Sequence, residues 1–147
     1  MKDTFFLLAP EKLAVIKWNG KSDLSTIETE IHEMMEQLNE TKATKCLIDM
    51  REAEFSFSYM DGKKTIQSIV NNTQLHENMR FVFLTDCPKT TIFVILFIQL
   101  IDKTKYFATL CSTLEYAFQL LNVKTSELEI RKILSNGHVA CNTNSTV

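Results

Sequence analysis

The chain has 147 residues, of which 45% are hydrophobic and 23% are charged, and its formal net charge is −2. This balance is typical of one globular domain and lacks the strongly basic composition of most nucleic-acid-binding proteins, so we expect no nucleic-acid partner. No stretch reaches the roughly 20 consecutive apolar residues that a membrane-spanning helix requires, so we expect no membrane span.

The beginning of the sequence and its cysteines indicate a cytoplasmic protein. The apolar run at 5–9 is short and is followed by Pro10, Glu11 and Lys12, which is not the pattern of a signal peptide. Without an export signal we expect reduced thiols. The sequence contains no C-x-x-C pair, the spacing that would indicate a metal site or a redox pair. The widely spaced cysteines are Cys46, Cys87, Cys111 and Cys141.

Hydrophobic patterning divides the chain into alternating strands and helices. Pro10 separates two strand-like runs, and the second run ends at the turn residues Asn19-Gly20. Ser22 or Asp23 can cap the helix that follows. The predicted elements are strands at 4–9 and 12–20, a helix at 22–40, a strand at 45–50, a helix at 58–72, a strand at 79–86, a helix from Pro88, a strand at 105–112, a helix at 112–121 and a last helical stretch at 125–134.

The order of these elements predicts an α/β fold with a mixed, mainly parallel sheet of about five strands and four to five helices. The N-terminal hairpin supplies an antiparallel edge, and each later strand follows a helical crossover. We expect residues 1–124 to form this single domain, with a C-terminal helix at 125–136 packed on it. The end of the chain, 137–147, is predicted to be a flexible polar tail.

The helix that begins at Pro88 is apolar on every side, because between Ile92 and Ile101 only Gln99 is polar. Such a helix is buried all round, so one side should pack on the sheet. Another side should meet a second subunit, the C-terminal helix or an apolar ligand. Self-association into a homodimer is the preferred interpretation, burial by the C-terminal helix comes second, and a lipid-like ligand comes third. The predicted interface or apolar-ligand face consists of Phe93, Val94, Phe97, Ile98 and Ile101.

Three segments carry a resemblance to a known family: CLIDMREAEFSFSYMDGKKTIQSI, RFVFLTDCPKTTIFVILFIQLI and YFATLCSTLEYAFQLL. Together they resemble the STAS-like group, the fold of anti-sigma-factor antagonists, and especially its short bacterial members of the Bacteroidetes type. The resemblance covers residues 4–122 and implies a non-catalytic protein-interaction or regulatory module with an unidentified protein partner. Folds of this layout include the CRAL-TRIO lipid-carrier domain, so a binding or carrier domain for a lipid or other small apolar ligand is the alternative by analogy.

In the regulatory proteins that the sequence resembles, the loop after the buried third strand carries a phosphorylatable Ser in an Asp-Ser-Ser-Gly-like turn. The matching stretch here is FSFSYMDG, so Ser56 and Ser58 are the candidate phosphosites of a regulatory loop, although the Asp-Ser-Ser-Gly pattern itself is absent. Ser58 is also placed to cap the following helix, and this is the preferred interpretation.

Asp86 and Cys87 follow a central strand, at the sheet edge where open α/β sheets usually bind ligands. A thiol at a helix N-terminus can have a lowered pKa, but a nucleophile also needs an oriented base, and the three histidines lie in surface-like segments. Asp49, with Arg51 and Glu52, is interpreted as a solvated strand end. We therefore expect no enzyme, and the lack of a metal-ligand cluster or a glycine-rich phosphate loop predicts no metal and no cofactor.

Overall fold

A computed structural model describes residues 4–72, 74–75, 78–124 and 128–135 of the chain. These residues form one five-stranded sheet with helices on both faces. A short 3₁₀ turn at Ala9–Glu11 joins the first two strands, and residues 128–135 are helical. The elements are β1 (Thr4–Leu8), β2 (Leu13–Ser22), α1 (Leu24–Thr41), β3 (Lys45–Phe55), α2 (Tyr59–Asn72), β4 (Arg80–Leu84), α3 (Pro88–Leu100), β5 (Phe107–Cys111) and α4 (Leu114–Leu121).

The strands lie side by side in chain order, from β1 at one edge to β5 at the other. β1 runs antiparallel to β2, and every later pair of neighbours is parallel. Each parallel pair is joined by one crossover helix, as a parallel connection requires. The predicted fold class is therefore confirmed: the chain is α/β, with a mixed, mainly parallel sheet and an N-terminal hairpin at its edge.

Two hydrophobic cores flank the sheet, because alternate residues of each central strand point to opposite faces. Ala14 and Ile16 of β2 belong to the core beneath α1, α2 and α3. Leu13 and Val15 belong to the core beneath α4 and the helical residues 128–135. Burial on both faces explains why the central strands read as continuous apolar runs.

The predicted starts of α1 and α3 are confirmed. Asp23, rather than Ser22, caps α1, and its side chain accepts hydrogen bonds from the backbone N–H groups of the first turn. Thr113 caps α4, and Pro88 occupies the first turn of α3, where its missing N–H costs least. Glu115, in the first turn of α4, pairs with Arg131 at 2.9 Å.

Two predicted strand ends were wrong. Asn19-Gly20 does not form a turn, since β2 continues to Ser22 through a register shift between Lys17 and Asn19, and Gly20 adopts a positive φ of 80°. β3 continues to Phe55, because the charged segment after residue 50 still alternates between exposed and buried side chains. The bulge keeps β2 paired along this longer β3.

The C-terminal part of the chain packs on the face of the sheet opposite α3. Ile130 and Leu134 of the helical residues 128–135 are buried in the core shared with α4. The predicted tail at 137–147, and with it Cys141, lies outside the described residues. Among the helices of the described ranges, none has the length and apolar character needed to cross a bilayer.

Candidate functional site

Helix α3 packs closely against α2 through an aromatic cluster. The ring of Phe93 lies 4.6 Å from that of Phe57 and 5.4 Å from that of Phe55, measured between centroids. Gly62 of α2 makes this approach possible, because a Cβ atom at that position would lie 2.6 Å from Cε1 of Phe93. The α2 side and the sheet side of α3 are thus both occupied within the monomer.

The five residues predicted to form an interface on this helix lie mostly on its inner sides. Phe93, Val94 and Ile101 are buried. Phe97 is half-buried, and its ring packs edge-on against Phe83, with centroids 5.5 Å apart. Ile98 is half-buried at the margin of the same core. Burial within one chain leaves little of this set free to meet a second subunit, and as an interface or apolar-ligand face the set stays a prediction. A helix that is apolar all round carries no signal of which side meets the sheet.

Besides Pro88 and Lys89 in its first turn, α3 exposes Ile92, Ile95 and Gln99, and we call these three residues the outer α3 surface. Ile92 keeps 48% of its surface exposed and Ile95 keeps 40%. Their spacing of three and four residues places them in one line along the helix. The sequence signal for this surface was only the lone polar residue, Gln99.

An apolar cavity lies between the sheet and helices α1, α2 and α3. Its volume is about 50 Å³, and every side chain that lines it is apolar. The predicted apolar-ligand residues Phe93, Val94 and Phe97 contribute to its wall, whereas Ile98 and Ile101 do not. The remaining lining residues are Trp18, Ile27, Ile31, Met34, Met35, Ile48, Met50, Phe55, Phe57, Ile66, Phe81 and Phe83.

The two candidate phosphosites lie in the connection from β3 to α2, and both bond to the protein itself. The hydroxyl of Ser58 donates to the carboxylate of Asp61 at 2.9 Å and accepts the Asp61 backbone N–H at 3.2 Å. Ser58 is thus the cap of α2. The backbone N–H of Ser56 donates to the Ser22 carbonyl at 3.0 Å. A phosphate on Ser58 would meet the negative charge of Asp61, which opposes its ordered binding at this helix end.

Asp86 and Cys87 connect β4 to α3, and Cys87 is the N-terminal cap residue of α3. The backbone N–H groups of Thr90 and Lys89 lower the pKa of the Cys87 thiol. In the part of the chain that the structure describes, no imidazole or amine is hydrogen-bonded to this thiol, and His32 instead pairs with Glu36 on the exposed side of α1. The arrangement gives a thiol of lowered pKa with no imidazole oriented toward it among the described residues.

A polar cleft of about 650 Å³ lies at the C-terminal ends of the central strands, beside the helical residues 128–135. Asp49 is only 2% exposed and accepts two hydrogen bonds of 2.9 Å from the Arg51 guanidinium. The buried Lys17 donates to the Leu134 carbonyl at 3.0 Å and pairs with Glu52 at 3.4 Å.

The interpretation of Asp49 as a solvated strand end was therefore wrong. Sequence spacing gave no sign that Arg51, two residues further along β3, would cover this carboxylate. Asp49 pairs with Arg51 and Lys17 pairs with Glu52, and Lys17 also holds the C-terminal helical residues to the sheet. Asp86, Arg131 and Lys132 also line this cleft.

Comparison with known proteins adds no assignment for this chain. Within the described ranges, no group of three or more His, Cys, Asp or Glu side chains is placed to hold a metal ion. No protein-family model, no curated protein and no solved structure matches the chain. The resemblance of residues 4–122 to STAS-like domains therefore stays a prediction, and the function is argued from the surfaces described above.

Proposed function

We propose that this protein is a non-catalytic interaction module that self-associates into a homodimer through the outer α3 surface. The observation that carries the proposal is the exposure of Ile92 and Ile95, at 48% and 40%, on a helix whose other sides are occupied by the sheet and α2. Isolated exposed apolar residues are ordinary, but Ile92 and Ile95 lie three residues apart and are neighbours on one side of the helix, between Lys89 and Gln99. A regulatory role of the STAS-like kind is the wider setting we propose for this dimer.

Two further observations support a non-catalytic role in the cytoplasm. Asp49 pairs with Arg51 and Lys17 pairs with Glu52 in the polar cleft, and among the described residues no imidazole or amine is hydrogen-bonded to the Cys87 thiol. The described cysteines are free thiols, and two of them, Cys46 and Cys111, are buried in the cores. Buried free thiols suit a reducing compartment.

The test is the oligomeric state of the full chain, measured by sedimentation velocity over a wide range of concentration. We expect the wild-type protein to dimerise and the Ile92→Glu/Ile95→Glu variant to be a monomer with an unchanged circular dichroism spectrum. Tyr116→Glu is the matched control, since Tyr116 is 51% exposed on α4, across the sheet from α3. A dimer that persists in the double variant would contradict the proposed surface.

A second candidate, a carrier for a small apolar molecule, is favoured by the wholly apolar cavity beneath α3. Its volume of about 50 Å³ is well below the roughly 150 Å³ of a cavity known to hold benzene, so a lipid would enter only if the covering helices separated. Met34, Met35 and Met50 in its wall are deformable side chains that would ease such a change. Native mass spectrometry of the purified protein tests this candidate: a retained small-molecule mass supports it, and bare protein contradicts it.

A further inference from the structure

A surface groove lies beside the C-terminal ends of α2 and α3, next to the apolar cavity. Its volume is about 270 Å³, compared with about 50 Å³ for the cavity. Val70, Phe97 and Leu100 line it, and all three are partly buried side chains packed against the core that surrounds the cavity. The groove therefore continues this apolar core to the surface of the protein.

Met35 and Phe97 separate the groove from the cavity, because among the described residues only these two line both spaces. Met35 is unbranched, so its thioether end changes rotamer more easily than a branched side chain does. A different Met35 rotamer would join the two spaces while the helices stay in place. Joined, they exceed the roughly 300 Å³ at which small-molecule sites begin.

The outer end of the groove carries two charged residues, Asp102 and Lys105. The Asp102 carboxylate accepts hydrogen bonds from the hydroxyl and the backbone N–H of Thr104, at 2.6 and 2.9 Å, and these bonds lower its pKa. The Lys105 ammonium forms no ion pair with any carboxylate in the described part of the chain. Lys105 is thus the group at this end that is placed to meet an anionic ligand.

The walls of the groove are held by two hydrogen bonds to the connection between α2 and β4. The Tyr106 hydroxyl donates to the Leu75 carbonyl at 2.9 Å, and the Asn39 side chain donates to the Gln74 carbonyl at 2.9 Å. Tyr106 and Leu75 both line the groove. A ligand therefore meets a surface that is already formed, which reduces the ordering cost of binding.

We propose that the groove and the cavity together bind a single-chain aliphatic carboxylate, that is, a fatty acid of medium length. Its carboxylate pairs with Lys105, its chain lies along Phe97 and Leu100, and the end of the chain passes Met35 into the cavity. This inference rests on the second candidate function, the carrier for a small apolar molecule, and names the ligand and its entrance.

Volume and charge together select this class of ligand. Only the end of the chain enters the cavity, so α1, α2 and α3 need not separate as they would for a whole lipid. The joined space is little above the lower limit for ligand sites, so it suits one chain rather than the two of a phospholipid. Burial of the chain supplies most of the affinity, and the exposed ion pair with Lys105 fixes its direction.

Trp18 is the only tryptophan in the sequence and lines the cavity, so its fluorescence reports the arrival of the chain end. We expect decanoate, below its micelle concentration, to change this fluorescence saturably, and decanol, which lacks the charge, to bind more weakly. Lys105→Gln should weaken decanoate binding by roughly threefold and leave decanol binding unchanged. Lys103→Gln, outside the groove, is the matched control and should bind decanoate like the wild type. Equal affinity for decanoate and decanol, or equal decanoate affinity of the wild type and Lys105→Gln, would overturn the position of the carboxylate.

A substitution of Met35 tests the passage from the groove to the cavity. Isoleucine is similar in volume but stiff at χ1, so Met35→Ile should keep the circular dichroism spectrum and slow the association of decanoate several-fold in stopped-flow fluorescence. Met34→Ile is the matched control, because Met34 lines the cavity but not the groove, and it should associate at the wild-type rate. An unchanged association rate in folded Met35→Ile would overturn this route of entry.

The outcomes separate this inference from the carrier candidate on which it rests. A small molecule retained in native mass spectrometry, combined with no response of Trp18 to decanoate or with wild-type behaviour of both Lys105→Gln and Met35→Ile, would refute this site and leave the carrier candidate standing. No response of Trp18, together with bare protein in native mass spectrometry, would refute both. The homodimer is judged separately, by sedimentation of the same proteins.

Discussion

The orientation of α3 predicts that two neighbouring residues differ sharply in their contribution to stability. Phe93 is 7% exposed and packs against two other rings, so Phe93→Ala should lower the free energy of unfolding by about 3–5 kcal/mol. Ile92 leaves 48% of its surface in solvent, and its truncation to alanine in a helix should cost less than about 1 kcal/mol in the monomer. For a chain of this length, the first change corresponds to a loss of roughly 10 °C in Tm.

Urea unfolding followed by circular dichroism measures both values. The protein must be diluted until sedimentation shows a monomer, because dimerisation would otherwise add its own concentration-dependent stabilisation. Val94→Ala and Ile95→Ala repeat the comparison with the next two residues of the helix, of which Val94 is buried and Ile95 is exposed. Equal losses for Phe93→Ala and Ile92→Ala, or a larger loss for Ile92→Ala, would refute the orientation of α3.

Three further predictions follow from single contacts. Gly62→Ala should lower the free energy of unfolding by about 1–2 kcal/mol despite its better helix propensity, because the new methyl group meets two phenylalanine rings; a stabilised variant would contradict the close α2–α3 contact. Ser58→Ala should lower the free energy of unfolding by about 1 kcal/mol through loss of the α2 cap, whereas Ser58→Thr, which keeps the hydroxyl, should retain most of that stability; equal losses for the two variants would contradict capping as the role of Ser58. Iodoacetamide should label Cys87 at a lower pH than an ordinary thiol, because its lowered pKa allows the thiolate to form at lower pH. Cys46 should be labelled far more slowly, because burial raises the pKa of its thiol and shields it from the reagent. Equal labelling rates for the two cysteines in the folded protein would contradict both environments.

Sequence patterning predicted the layout of the fold because the elements differ clearly in period and length. The amphipathic spacing of α1, the Pro88 that begins α3 and the apolar runs of the central strands all follow local rules. The extension of β2 past Gly20 was not predictable in this way, because the same Asn-Gly pair that favours a turn can also occupy a bulge. Whether the pair forms a turn or a bulge depends on the length of the neighbouring strand, here β3.

The candidate surfaces were harder to predict than the fold. The sequence of α3 shows that the helix must be largely buried. Which of its sides meets the sheet depends on tertiary packing, so Phe93 and Ile92 look equivalent in sequence although one is buried and the other exposed. The burial of Asp49 is likewise tertiary, since it depends on the Arg51 side chain folding back over the strand end.

The central claim is that this chain self-associates through the outer α3 surface. Sedimentation velocity of the wild-type protein, run beside Ile92→Glu/Ile95→Glu and the Tyr116→Glu control, tests that claim most directly. We predict a concentration-dependent dimer for the wild type and the control, and a folded monomer for the double variant. A wild-type protein that stays monomeric at the highest concentration, or a double variant that dimerises as strongly as the wild type, would contradict it.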